Sequence, residues 1–109
     1  MSDKLCELSC VPCRGGVPPL DEPELGELLG QLNAGWEVVD KHHLTRTFKS
    51  PDFVTALEFV NNVGAVAEQQ AHHPDIHLSW GKVTVEIYTH KINGLTESDF
   101  VLAAKIDVL

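Results

Sequence analysis

The sequence predicts an α+β domain in the order α-β-β-α-β-β-α, a four-stranded antiparallel sheet with helices packed on one face. Three observations carry that prediction. Two apolar stripes recur at helical spacing, one through Leu25, Leu28, Leu29 and Leu32 and one through Phe53, Leu57, Val60, Gly64 and Ala67, the mark of helices with one buried face. Two pairs of short segments alternate apolar and polar residues on either side of a tight turn, as antiparallel hairpins do. The helices and hairpins interleave along the chain, which most simply gives one sheet with its helices on a single face.

At 109 residues the chain has room for one domain with a modest core. Its 43% hydrophobic content suits a folded protein. A net charge of −8, from 16 acidic and 8 basic residues, speaks against direct binding to a nucleic-acid backbone. No apolar run reaches the length of a membrane span, and the first residues lack the basic-then-apolar pattern of a signal peptide, so a cytoplasmic protein is expected.

Residues 1–20 read as an irregular Cys-bearing leader and residues 21–109 as the folded domain. Cys6, Cys10 and Cys13 all fall in the leader. An odd number confined to one end is no disulfide framework. Cys10-Val-Pro-Cys13 has the C-x-x-C spacing, yet the chain has no second pair to complete a zinc site and no βαβ context for redox chemistry.

The first helix is predicted from Asp21 or Glu22 to Asn33, with Pro23 and Glu24 in its first turn and Gly35 as its stop. Strands follow at about Trp36–Asp40 and Leu44–Lys49, joined through Lys41 and His42; His42 and His43 read as solvated surface residues. Ser50 as N-cap and Pro51 in the first helical position open a second helix to about Gln70. Gly64 in its middle costs about 1 kcal/mol relative to Ala, which suggests close approach of helix to sheet. A second hairpin is predicted at about Asp75–Trp80 and Val83–Lys91, with Gly81-Lys82 as a type II′ turn. Thr96-Glu97-Ser98-Asp99 is a capping-box pattern opening a last helix to about Asp107. Its run from Phe100 to Ala104 is apolar on nearly every face, which points to a subunit interface.

Chemistry-bearing residues concentrate between Glu68 and Asp99, above all at His72-His73-Pro74, the junction of the second helix with the next strand. Histidine exchanges protons near neutral pH. With Gly81-Lys82 as the turn, Trp80 faces Val83, Leu78 faces Val85 and Ile76 faces Ile87, and extension of this register sets His73 opposite His90. Three readings follow: solvated histidines, a metal site with Glu68, or general acid–base catalysis. Neighbouring His72 and His73 point to opposite sides of an extended backbone, which disfavours a shared ion. Acid–base catalysis ranks first, with no substrate named.

The spacing Glu68, three residues, His72-His73-Pro74, five residues, Trp80, nine residues, His90, eight residues, Asp99 resembles the signature of the pterin-4a-carbinolamine dehydratases. The resemblance runs from about residue 20 to the end. It implies a hydro-lyase, 4a-hydroxytetrahydrobiopterin dehydratase, that converts 4a-hydroxytetrahydropterins from aromatic amino-acid hydroxylases into quinonoid dihydropterin and water. It implies neither cofactor nor metal, and a homodimer or homotetramer. By the same resemblance His72 and His90 are the acid–base pair, and His73 joins them at the catalytic centre by holding the pterin. Glu68, Pro74 and Thr89, the last through its backbone, complete the substrate-binding set with those histidines. Asp99 has two readings, a helix cap or support for a histidine. The chain departs from the pattern at Ala71, where the family often has an acidic residue, and at Ile76, where an aromatic residue is common. Relatives also serve as a dimerisation cofactor for a homeodomain transcription factor or as bacterial assembly helpers, so the alternative is a non-catalytic binding protein.

Overall fold

A computed structural model describes residues 5–8 and 18–109. Helix α1 spans Glu22–Leu29, strands β1 and β2 span Glu37–Val39 and His43–Lys49, and helix α2 spans Phe53–Gln70. Strands β3 and β4 span Asp75–Ser79 and Lys82–Ile87, and helix α3 spans Glu97–Asp107. The element order is the expected one, and the four strands form a single antiparallel sheet ordered β1-β2-β4-β3. No helix among the described residues is long and apolar enough to cross a membrane.

The register lines up three rows across one face: Val38, Leu44 and Ile87; Arg46, Val85 and Ile76; Phe48, Val83 and Leu78. Leu44, Val83, Val85 and Ile87 are fully buried there, each contributing about 1.5–3 kcal/mol by leaving water. Helix α2 covers β3 and β4 and buries Ala56, Val63 and Ala67. The Phe48 ring packs against Phe59 at 4.6 Å and edge-on against Trp36 at 6.0 Å.

Arg46 is the one charged member of these rows, and it has a dedicated partner. Its guanidinium lies 2.8 Å from the Asp107 carboxylate, which also accepts from Trp36 Nε1 at 2.8 Å and from the Asn33 N–H at 3.0 Å. The end of α3 is thereby tied to the start of the first hairpin. This network also explains Gly35. A Cβ there would sit 3.0 Å from Arg46 Nε, and its φ of +113° disfavours any other residue. Gly35 therefore serves this close approach and not the end of α1, which stops at Leu29 with Gly30 as its cap.

The first hairpin turns at Asp40 and Lys41, both at positive φ, with the His42 N–H donating to Val39 O at 2.8 Å. The cap of α2 is Asp52, not Ser50: its carboxylate accepts from the Thr55 N–H at 2.7 Å. That bond holds the Asp52 carboxyl below its usual range. Ser50 instead donates its N–H to Gly81 O at 2.8 Å, joining the start of α2 to the second hairpin. Nothing lies within 4 Å of a Cβ built on Gly64, so close packing does not require that glycine.

The second hairpin corrects the predicted register. Ser79 pairs with Lys82, Leu78 with Val83 and Ile76 with Val85, so the turn is Trp80-Gly81, with Gly81 at φ +74°. Each residue of β3 meets a partner two places away from the predicted one. A two-residue shift keeps every side chain on its own face, so the apolar alternation is blind to it. Pairing of Lys49 with Lys82 draws Lys82 into β4. Trp80 is left in the turn, 73% exposed, and His73 does not come opposite His90.

Helix α3 corrects a second expectation. Its residues from Ser98 to Ala104, and Ile106, are buried within the single chain, against α2, α1 and an N-terminal 3-10 turn at Leu5–Glu7. Leu5 is buried in the core, and Lys105 Nζ donates to Cys6 O at 2.9 Å. The all-round apolar character of α3 thus reflects intrachain burial rather than a subunit interface. Cys10-Val-Pro-Cys13 lies outside the described residues.

Candidate active site

The site begins where α2 stops. Ala71 closes the helix in the left-handed conformation, φ 52° and ψ 38°, with its N–H on Ala67 O and Glu68 O. The following N–H, of His72, returns to Ala67 O at 3.1 Å. A left-handed alanine costs about 1–2 kcal/mol, so the reversal is maintained by the packing around it. Pro74 holds His73 in extended backbone and cannot donate to the sheet, so the ladder starts at Asp75. The two adjacent histidines consequently leave the junction for different partners.

His72 Nε2 lies 2.6 Å from Asp99 Oδ1. Its side chain is 13% exposed, that of Asp99 0%. The other carboxylate oxygen, Oδ2, accepts from Thr89 Oγ1 at 2.8 Å and from the Thr96 N–H at 2.8 Å. Because the Thr89 proton is directed at Asp99, the 3.0 Å contact between Thr89 Oγ1 and Thr96 Oγ1 is donated by Thr96. Asp99 therefore caps α3 and holds His72 at once, and its two readings from sequence are combined. With Nε2–H donating to the carboxylate, the neutral ring has Nδ1 as its remaining acceptor, and a protonated ring has Nδ1–H as a donor.

His73 Nε2 pairs with Glu68 Oε2 from the last turn of α2, with side chains 61% and 79% exposed. The ring of His90 stands elsewhere. His90 opens a 3-10 turn, His90–Ile92, and packs on Tyr88 with centroids 4.2 Å apart. It is joined to the His72 pair through its neighbour Thr89, whose hydroxyl holds Asp99. The backbone of Thr89 is engaged within the chain, its N–H on Gly94 O at 2.8 Å and its carbonyl accepting from Ile92 and Gly94. Pro74 is half-buried.

Three predicted residues, His72, Asp99 and Thr89, thus form one buried network, and Glu68 and His73 form a second, exposed pair. Two features near these residues were missed from sequence. Thr96 was read as a helix cap alone, although its hydroxyl also meets Thr89 Oγ1 at 3.0 Å. His42, read as solvated, is half-buried and packs its ring on Tyr88 at 4.5 Å; no local pattern marks a contact across that many residues. Among the described residues, no three His, Cys, Asp or Glu side chains converge into a metal-binding group.

The geometry can be set beside known proteins. The family model described as pterin 4 alpha carbinolamine dehydratase matches residues 18–109. A protein of Rubrobacter xylanophilus, provisionally named a pterin-4-alpha-carbinolamine dehydratase, is 59% identical over 106 residues, covering 97% of this chain and 98% of its own. A similarly named protein of Rickettsia canadensis is 54% identical over 103 residues, with 94% of each chain covered. The crystal structure of a transcriptional coactivator/pterin dehydratase from Brucella melitensis superposes with a TM-score of 0.77 at 38% identity, covering 84% of this chain and 97% of that one. A pterin dehydratase-like RuBisCO assembly factor of the alpha-carboxysome shares the fold, with a TM-score of 0.61 at 20% identity, covering 70% of this chain and 89% of that one. This chain belongs to the pterin 4 alpha carbinolamine dehydratase family.

Proposed function

We propose that the chain dehydrates 4a-hydroxytetrahydropterins by histidine general acid–base catalysis. The observation that carries this reading is the buried His72–Asp99 pair in a chain of this family. The reaction breaks the C4a–O bond. The departing hydroxyl takes a proton and leaves as water, N5 loses its proton, and the electrons of the N5–H bond form the new double bond to C4a. One imidazole donates the first proton and another accepts the second, so the protein ends with the protons it began with.

His72 suits one of these roles because Asp99 fixes its tautomer and leaves Nδ1 to exchange the proton. His90 supplies the other, and Thr89 holds Asp99 in place. His73, with Glu68 and Pro74, grips the polar pterin ring at the exposed side. The reaction needs no metal and no cofactor in this scheme. The enzyme works in the cytoplasm as a homodimer or homotetramer beside an aromatic amino-acid hydroxylase. Phe53, Val54 and Leu57, left 44%, 64% and 41% exposed on α2, support an assembly of copies, which light scattering would detect as a mass above 12.0 kDa.

Those same exposed residues favour a second reading, a scaffold that binds another protein without turnover. The deciding experiment is stopped-flow absorbance of 4a-hydroxytetrahydropterin decay against the spontaneous rate. Acceleration by the wild-type protein that is lost in His72→Ala and His90→Ala is expected. Full activity in both variants would remove the acid–base assignment, and absence of acceleration by the wild type would leave the binding scaffold as the better reading.

A further inference from the structure

The first hairpin carries a histidine pair that the site described so far does not use. His42 stacks on Tyr88 with centroids 4.5 Å apart and planes tilted 39°, and Tyr88 stacks on His90 at 4.2 Å and 42°. Three rings from two distant segments therefore form one column that ends on His90. The hydrogen bonds around His42 are mutually consistent. Its Nε2 lies 2.7 Å from Asn93 Oδ1, and its Nδ1 lies 3.1 Å from His43 Nδ1. With Nε2–H donated to the amide oxygen, Nδ1 is free to accept from His43 Nδ1–H.

Asn93 is the other end of the turn that His90 opens. It sits at positive φ, and its N–H donates to His90 O at 3.2 Å. The Thr89–Gly94 bridge closes the base of this short loop. His42 thus holds both ends of it: the His90 side through the Tyr88 ring, and the Asn93 side through a hydrogen bond.

We infer that His42 and Tyr88 are positioning residues that set the orientation of the His90 imidazole, so that the first hairpin takes part in the site through a column of rings. The inference rests on the dehydratase reading of His90. An exposed ring held only by its own backbone samples several rotamers, whereas acid–base transfer needs donor and acceptor within hydrogen-bond reach. Stacked or tilted aromatic pairs supply a preference of the needed size.

The test uses Tyr88→Leu, Tyr88→Phe and His42→Ala in the full-length protein. Two readouts are taken: the ring-proton NMR shifts of His90, and the separate values of kcat and KM. Tyr88→Leu is expected to move the His90 signals downfield as the ring current of Tyr88 is lost. It should also lower kcat about 3- to 10-fold with KM nearly unchanged. His42→Ala should act in the same direction, and Tyr88→Phe should restore both readouts to within about twofold of wild type, since the contact is ring to ring. A role in stability alone would lower the melting temperature and leave kcat per folded molecule in place, which would overturn the inference. Altered His90 signals with wild-type kcat would also overturn it. A wild-type protein without turnover would overturn the dehydratase reading instead, and the NMR measurement would still decide whether the column holds His90.

Discussion

His72 and His73 are neighbours in the chain and opposites in environment. His72 faces a carboxylate that is fully buried and carries two further donors, from Thr89 and Thr96. His73 faces a carboxylate that is 79% exposed. Each is a histidine–carboxylate contact, yet the two differ in what the surroundings require of them. In the interior every partner of Asp99 must be satisfied, because an unpaired buried donor or charge has no water to turn to. At the surface water replaces either partner of the Glu68 pair at little cost. The first contact is built to be unique and the second to be adjustable, which suits the roles of proton transfer and ligand contact proposed for them.

The largest effect should come from breaking the buried side. Asp99→Ala strands the Thr96 N–H, the Thr89 hydroxyl and His72 Nε2–H together. It should cost about 3–5 kcal/mol, a fall in melting temperature on the order of 15 °C or more. A melt within a few degrees of wild type would show that the network is not what closes the start of α3.

Next comes His72→Ala, which removes one partner and spares the cap. Stability should drop by about 1–3 kcal/mol, measurable by urea titration, while kcat falls about 100- to 10,000-fold. A KM effect with kcat intact would transfer the proton-exchange role to another residue.

His73→Ala should leave stability within about 0.5 kcal/mol and act mainly on KM. The smallest effect should be that of Glu68→Gln, with KM rising at most about fivefold, the reach of an exposed polar contact. Salt sharpens the contrast. Raising ionic strength should weaken the contribution of Glu68 to KM and leave the His72 ring-proton shifts unmoved, because screening acts on exposed charges far more than on buried ones. Equal salt responses at the two histidines would contradict the difference in burial.

The contrast between these histidines was partly legible in the sequence. Adjacent residues on extended backbone separate to opposite sides, and Pro74 announces such backbone at His73. Likewise Asp99 stands at the fourth position of a capping box, and its N-terminal role follows from four consecutive residues. Its second role does not. His72 lies 27 positions away, and only the docking of α3 against α2 brings them together.

Local patterns, then, determined what local physics controls: the kind and order of the elements, the face to which each side chain of the sheet points, and the helix starts at Asp21 and Thr96. Tertiary structure decided the register of β3 on β4, because alternation distinguishes odd from even shifts and not one even shift from another; the pairing of β2 with Lys82 settled it. It decided the use of α3, whose apolar faces have partners in α1, α2 and the turn at Leu5–Glu7. It also decided the place of His90, stacked on Tyr88 and held from the first hairpin rather than opposite His73. Periodicity is a property of neighbours along the chain. Register, packing partners and the meeting of a histidine with its carboxylate depend on how separate elements dock, which no short window of sequence contains.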